Sequence, residues 1–115
     1  MVTRRSYIPE RGDIVQIDFS PHKGHEQAHR RPALVVSSKI YNEKTGMMLA
    51  CPVTSKIKGY SFEVGIEIKK RSGVILADHV RSMDWHSRGL LFMQKVPIEI
   101  IDQVQQRIIR LLSDW

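Results

Sequence analysis

The sequence predicts a mainly β, α+β domain. Five or six short strands should form a strongly bent sheet or small barrel, with one amphipathic helix at the C-terminus over an open end or face. Three observations carry this expectation. Short apolar runs and two-residue alternations recur through residues 13–83. A three- and four-residue apolar spacing sets in only after Pro97. The chain has 115 residues, and two independent cores would each be too small, so residues 1–115 read as one domain.

The elements follow in order. Residues 13–19 alternate, with Val15, Ile17 and Phe19 on one face and Gln16 and Asp18 on the other. After Pro32, the continuous run Ala33-Leu34-Val35-Val36 predicts a strand buried on both faces, and residues 47–53 read the same way. A short helix is expected to begin near Ser37 or Ser38 and to end by Gly46. Residues 62–68 alternate as a half-buried strand should. Residues 73–77 and 79–83 predict two more strands, or one bent strand. Pro97 suits a first helical position. Ile98, Ile101, Val104, Ile108, Leu111 and Leu112 then form one apolar stripe, opposite Glu99, Asp102, Gln106 and Arg110.

The chain is 42% hydrophobic and 26% charged, which is globular composition. Eighteen Lys and Arg against 12 Asp and Glu give a net charge of +6. That balance favours a polyanionic partner. The single cysteine, Cys51, excludes an internal disulfide and a cysteine-rich zinc site, and its apolar neighbours predict a small buried hydrophobe. No stretch approaches the ~18 apolar residues of a membrane span, and Arg4 and Arg5 lead into no signal-peptide core. A cytoplasmic protein without a membrane partner is the expectation.

Two polar connections interrupt the strands, at residues 20–31 and 54–60. The first contains His25-Glu26-Gln27-Ala28-His29, which matches the zinc-binding pattern H-E-x-x-H. That chemistry needs a helix, where both histidines share a face. Pro21, Gly24 and Pro32 and the lack of apolar periodicity argue against one, so no metal is expected. The same loop carries Lys23, Arg30 and Arg31. A basic loop between strands suits phosphodiester binding, and Arg31, anchored at a strand start, can hold a phosphate bidentately.

The ordered segments carry more than any one motif. They are Arg11-Gly12-Asp13-Ile14-Val15, Asp18-Phe19-Ser20-Pro21, Lys23-Gly24-His25-Glu26-Gln27, Arg31-Pro32-Ala33-Leu34-Val35-Val36-Ser37, Pro52-Val53-Thr54, Lys58-Gly59-Tyr60-Ser61-Phe62-Glu63-Val64 and the run 73–82. Together they resemble the MazF/PemK family of toxins from bacterial toxin–antitoxin pairs. The resemblance implies an SH3-like bent barrel that forms a homodimer. It implies an endoribonuclease that cuts single-stranded RNA, chiefly mRNA, without a metal or other cofactor, and a cognate MazE-like antitoxin. Position by position it makes Arg31 the catalytic arginine, Thr54 the catalytic threonine and Glu26 the acidic residue of the substrate loop. With the basic loop, it makes Lys23, His25, Gln27, His29, Arg30, Lys56, Lys58, His79 and Arg81 the expected RNA contacts. Arg30 stands where some relatives have histidine, and His79 where glutamine is common, so no relative's cleavage sequence is transferred.

Metal-free cleavage uses the neighbouring 2′-hydroxyl and leaves a 2′,3′-cyclic phosphate and a 5′-hydroxyl. It needs a base, charge stabilisation and an acid. Arg31 suits charge stabilisation and can donate toward the leaving alkoxide, Thr54 suits a hydrogen bond to a non-bridging oxygen, and Glu26 suits the base, ahead of His25 and His29. Single strands suit such a site because unpaired bases can splay onto it; Phe19, Tyr60 and Phe62 are stacking candidates, although Phe19 and Phe62 also read as core. Two rivals share these residues: a gyrase-inhibiting toxin of the same fold, and an RNA-binding module without cleavage.

Overall fold

The computed structural model describes residues 7–20 and 30–113. Seven strands and two helices follow in the order β1 (Asp13–Asp18), β2 (Arg30–Val35), α1 (Lys39–Thr45), β3 (Met47–Thr54), β4 (Glu63–Ile68), β5 (Arg71–Leu76), β6 (Arg81–Asp84), β7 (Leu91–Lys95) and α2 (Ile98–Ser113). A single 3-10 turn, Ala77–His79, links β5 to β6. The run 73–83 is thus two strands rather than one bent strand. The mainly β fold with a C-terminal helix is the one expected.

All strand pairs are antiparallel, in the order β4-β5-β3-β2-β1-β7, with β6 on β3. Strand β3 is the pivot. Its first half, from Met47 to Ala50, pairs with β6, and its last two residues pair with β5. One strand therefore serves two neighbours on the same side, which bends the sheet into a half-barrel. A register shift between Ile14 and Val15 adds curvature where β1 meets β7.

Two cores form, one on each face. The first joins Ile14, Leu34, Cys51, Val53, Val64 and Ile75 to Val104 of α2. The second contains Val15, Ile17, Ala33, Val35, Met48, Ala50, Met83 and Trp85. Each fully buried Val, Ile or Leu contributes about 1.5–3 kcal/mol over its exposed state. Because both faces of β1 are covered, Asp13 and Asp18 are buried as well. The simple two-sided alternation read for residues 13–19 understates that burial.

Local signals place α1. Ser38 caps it by accepting from the Tyr41 amide at 3.2 Å, and Gly46 ends it with a left-handed φ of 71°. Asn42 of α1 is buried and donates to the carbonyl of Pro9 at 2.8 Å. The indole of Trp85 donates to the carbonyl of Asn42 at 3.1 Å.

Two expectations on burial are corrected, and the strands number seven among the described residues rather than five or six. Strand β3 is buried on both faces only in its middle; Leu49 is exposed. Strand β7 carried no clear alternation and has Leu91 and Phe92 exposed, so its sequence did not announce it. In α2, Ile101, Val104 and Ile108 face the first core, but Ile98 and Leu112 are 73% and 83% exposed. The helix lies against the 3-10 turn and β4, and its ends project past that support.

Candidate functional site

The second core has an open rim. In the β2–β3 register Ala33 faces Pro52, and carrying it two residues on sets Arg31 opposite Thr54 where the strands part. Side chains opposite each other in an antiparallel pair share a face, and this is the face of Ala33, Val35 and Ala50. Arg81 faces Ala50 across β3–β6, so it joins the same rim. Its guanidinium lies over the Phe19 ring, 5.4 Å from the centroid.

Beside this rim runs a groove of about 780 Å³. Arg31, Thr54, His79 and Phe19 form one wall, and Ile68, Lys69, Arg71 and Ser72 of the β4–β5 hairpin form the other. Among the described residues, Arg31, Lys69, Arg71 and His79 are its charged or titratable lining, and no carboxylate is among them. These cationic groups attract an anion.

The frame around Thr54 is tight. Its side-chain oxygen accepts from the Lys56 amide at 3.2 Å, which turns the chain out of β3. Gly73 lies against its backbone: a Cβ there would stand 2.8 Å from the Thr54 carbonyl oxygen. Only glycine lets β5 approach so closely. Beyond Thr54, the amides of Lys58 and Gly59 donate to the Glu63 carboxylate, the latter at 3.0 Å. Tyr60 stacks on Phe62 at 5.2 Å. Arg31 is exposed, and one of its Nη atoms donates to the Arg30 carbonyl at 3.0 Å.

Sequence reasoning missed Arg88. It is buried, and one Nη donates to the carbonyls of both Asp18 and Ser20, at 2.9 and 2.8 Å. Ser20 in turn donates its amide to the Asp18 carboxylate at 2.9 Å. The backbone around Phe19 is thus gripped from both sides. No local pattern marks this bond, because Arg88 lies 68 residues from Ser20 in the chain. The hairpin residues Lys69, Arg71 and Ser72 were also missed; three consecutive basic residues were legible, but not which wall they stand on.

The structure therefore brings together Arg31, Thr54, His79 and Arg81 of the expected residues. Lys56 and Lys58 are exposed on the connection after Thr54, outside the groove lining. Arg30 is half-buried and donates to the Gln16 carbonyl at 3.4 Å; it does not line the groove. Lys23, His25, Glu26, Gln27 and His29 lie outside the described residues, as does the whole H-E-x-x-H pattern. Cys51 is fully buried, and burial pushes its thiol up to about 12, with Asp78 adding to the shift. That leaves it a packing residue.

Residues 10–112 match the family described as PemK-like, MazF-like toxin of type II toxin–antitoxin system. The chain belongs to this toxin family. It is 45% identical over 108 residues to the endoribonuclease toxin MazF of Escherichia coli (strain K12), covering 94% of this chain and 96% of that one. Among solved structures it is similar to MazF from Deinococcus radiodurans, with a TM-score of 0.83, 47% identity, and 94% and 99% of the two chains covered. It is also similar to a chain of the MazE–MazF complex from the same organism, with a TM-score of 0.82, 42% identity, and 94% and 98% covered. Among the described residues of this family member, no helix is long and apolar enough to cross a membrane.

Proposed function

We propose that this chain is the toxin of a type II pair and cuts single-stranded RNA in the groove between the β2–β3 rim and the β4–β5 hairpin. The observation that carries the reading is the apposition of Arg31 and Thr54 in a largely apolar groove whose charged lining, among the described residues, is basic. The named endoribonuclease relatives support it. The substrate is RNA, chiefly mRNA, and loss of message is how translation stops. A MazE-like antitoxin is the protein partner, a homodimer the working form and the cytoplasm its compartment.

The groove suits cleavage by the substrate's own 2′-hydroxyl. That oxygen attacks phosphorus as Glu26 takes its proton, and the bond from phosphorus to the 5′-oxygen breaks. Charge builds on the non-bridging oxygens, where the Arg31 guanidinium neutralises it and the Thr54 hydroxyl donates a hydrogen bond. The Arg31 guanidinium acts through charge and hydrogen bonding and not as the base. The 5′-oxygen leaves as a hydroxyl, drawing a proton from solvent in the open groove. The products are a 2′,3′-cyclic phosphate and a 5′-hydroxyl. Phe19, which lines the groove beside the Arg81 guanidinium, is the stacking candidate for a base next to the cut. His79 and Arg81 on the rim, Lys56 and Lys58 beyond it, and Lys23, His25, Gln27, His29 and Arg30 from the other connection complete the expected RNA contacts.

The test is one gel. The protein and its Arg31→Ala variant, both shown to be folded, are incubated with a long single-stranded RNA in EDTA. Discrete fragments from the unaltered protein alone, ending in 5′-hydroxyls, are expected. Fragments carrying 5′-phosphates would overturn the 2′-hydroxyl chemistry. Intact RNA in both lanes would overturn the nuclease reading in favour of a gyrase-type or purely RNA-binding toxin.

A further inference from the structure

The tip of the β4–β5 hairpin is built against its own backbone preference. Ile68 pairs with Arg71, so Lys69 and Lys70 are the entire turn. Both have positive φ, 51° and 67°. Two-residue turns of this kind favour Asn-Gly, because a Cβ in the left-handed region crowds the following carbonyl. Here both positions carry lysine, and an arginine follows.

The packing does not ask for these side chains. Lys69, Lys70 and Arg71 are all exposed, and among the described residues none of the three is ion-paired. Unfavourable backbone geometry persists where it serves a site. Lys69 and Arg71 line the same groove as Arg31 and Thr54. Thr54 faces Val74 across β3–β5, and Arg71 precedes Val74 by three residues, roughly 10 Å of strand. A chain of phosphates laid across Arg31 and Thr54 reaches the hairpin next. Flexible ammonium groups suit a phosphodiester backbone, which presents the same charge whatever its bases.

We propose that the Lys69-Lys70 turn, together with Arg71, is a second subsite that holds backbone phosphates of single-stranded RNA flanking the cut. This rests on reading the groove as the site of RNA cleavage. The subsite adds affinity and reach without reading sequence.

The test uses the turn's own chemistry. Lys69→Asn/Lys70→Gly installs the pair that the backbone prefers and deletes two charges, so its Tm should rise. Binding is measured with a 2′-O-methyl RNA, which has no free nucleophile and is not cut, across a series of salt concentrations. Each lost phosphate contact removes about 0.7 from the slope of log affinity against log salt. The slope should therefore flatten by about 1.4, and affinity at 0.15 M salt should fall by about tenfold. Lys69→Gln/Lys70→Gln, which keeps the unfavourable turn, should flatten the slope equally. A higher Tm with an unchanged slope would overturn the subsite and leave the turn as architecture only. Unchanged RNA binding with loss confined to a polyglutamate peptide would overturn it too. Cleavage of unmodified RNA by the unaltered protein is scored separately. If that RNA stays intact, the nuclease reading fails, while the salt slope still decides whether the hairpin binds phosphates.

Discussion

Gly73→Ala probes the join between the fold and the chemistry. The new Cβ would stand 2.8 Å from the Thr54 carbonyl oxygen and 3.5 Å from its carbonyl carbon, where ordinary contact begins at 3.4 Å. The opposing atoms are backbone on both strands, so no side chain can swing away. Strands β5 and β3 must part by about 0.6 Å, the shortfall from ordinary contact. Overpacking of this kind costs about 1–3 kcal/mol, and Tm should fall by roughly 4–12 °C for a chain of this size. The displaced strand ends at Thr54. A 1 Å misplacement costs on the order of a hundredfold in rate, so a shift of this size should lower kcat by about tenfold. A fluorogenic RNA assay well below the variant's Tm separates kcat from KM. A lowered Tm with kcat intact would refute the link between this strand contact and the chemistry of Thr54. An unchanged Tm would refute the contact itself.

Two further predictions concern buried groups. Arg88→Lys cannot span the carbonyls of both Asp18 and Ser20. Loss of one charge-assisted bond should lower stability by about 2 kcal/mol, and kcat should fall severalfold at a temperature where the variant is fully folded, because Phe19 loses its anchor; an unaltered kcat would make Arg88 a purely structural residue. Cys51 governs part of the alkaline limit. Its folded pKa stands at about 12 against an ordinary 9.0, so its contribution is intact below pH 9 and is lost as pH rises from 9 towards 12, when the unfolded chain gives up the proton first. At about 1.4 kcal/mol per unit, urea melts at pH 8 and 10.5 should show the unaltered protein losing about 2 kcal/mol more than Cys51→Ala. Tyr7, whose phenol is partly desolvated, donates to Asp13 and is also pushed upward, is present in both and cancels. Equal losses would sink the idea.

Much of the fold was legible because its causes are local. The two-residue alternation of 62–68 became the half-buried β4, and the continuous run after Pro32 became the buried end of β2. Ser38 and Gly46 bracketed α1 because a cap depends only on residues three or four apart. Strand β7 was not legible, since its place in the sheet comes from pairing with β1 and its exposed Leu91 and Phe92 break any alternation. The apolar stripe of α2 was legible over Ile101, Val104 and Ile108, but how much of it finds support depends on where the 3-10 turn and β4 end.

The candidate site divides the same way. Arg31 and Thr54 stand out in sequence because each sits where a buried strand meets a polar connection. That they face one another is a matter of register, which depends on how β2 and β3 pair. The sequence by itself determined a basic, strand-rich chain with a terminal helix and its two polar connections, because composition and periodicity are properties of neighbouring residues. The tertiary structure alone decided the opposite wall, with Lys69 and Arg71 brought beside Arg31, and the grip of Arg88 on β1. It decided as well that Arg30 turns out of the groove that Arg31 lines. Those contacts join residues tens of positions apart, and only the bending of the sheet around β3 brings them together.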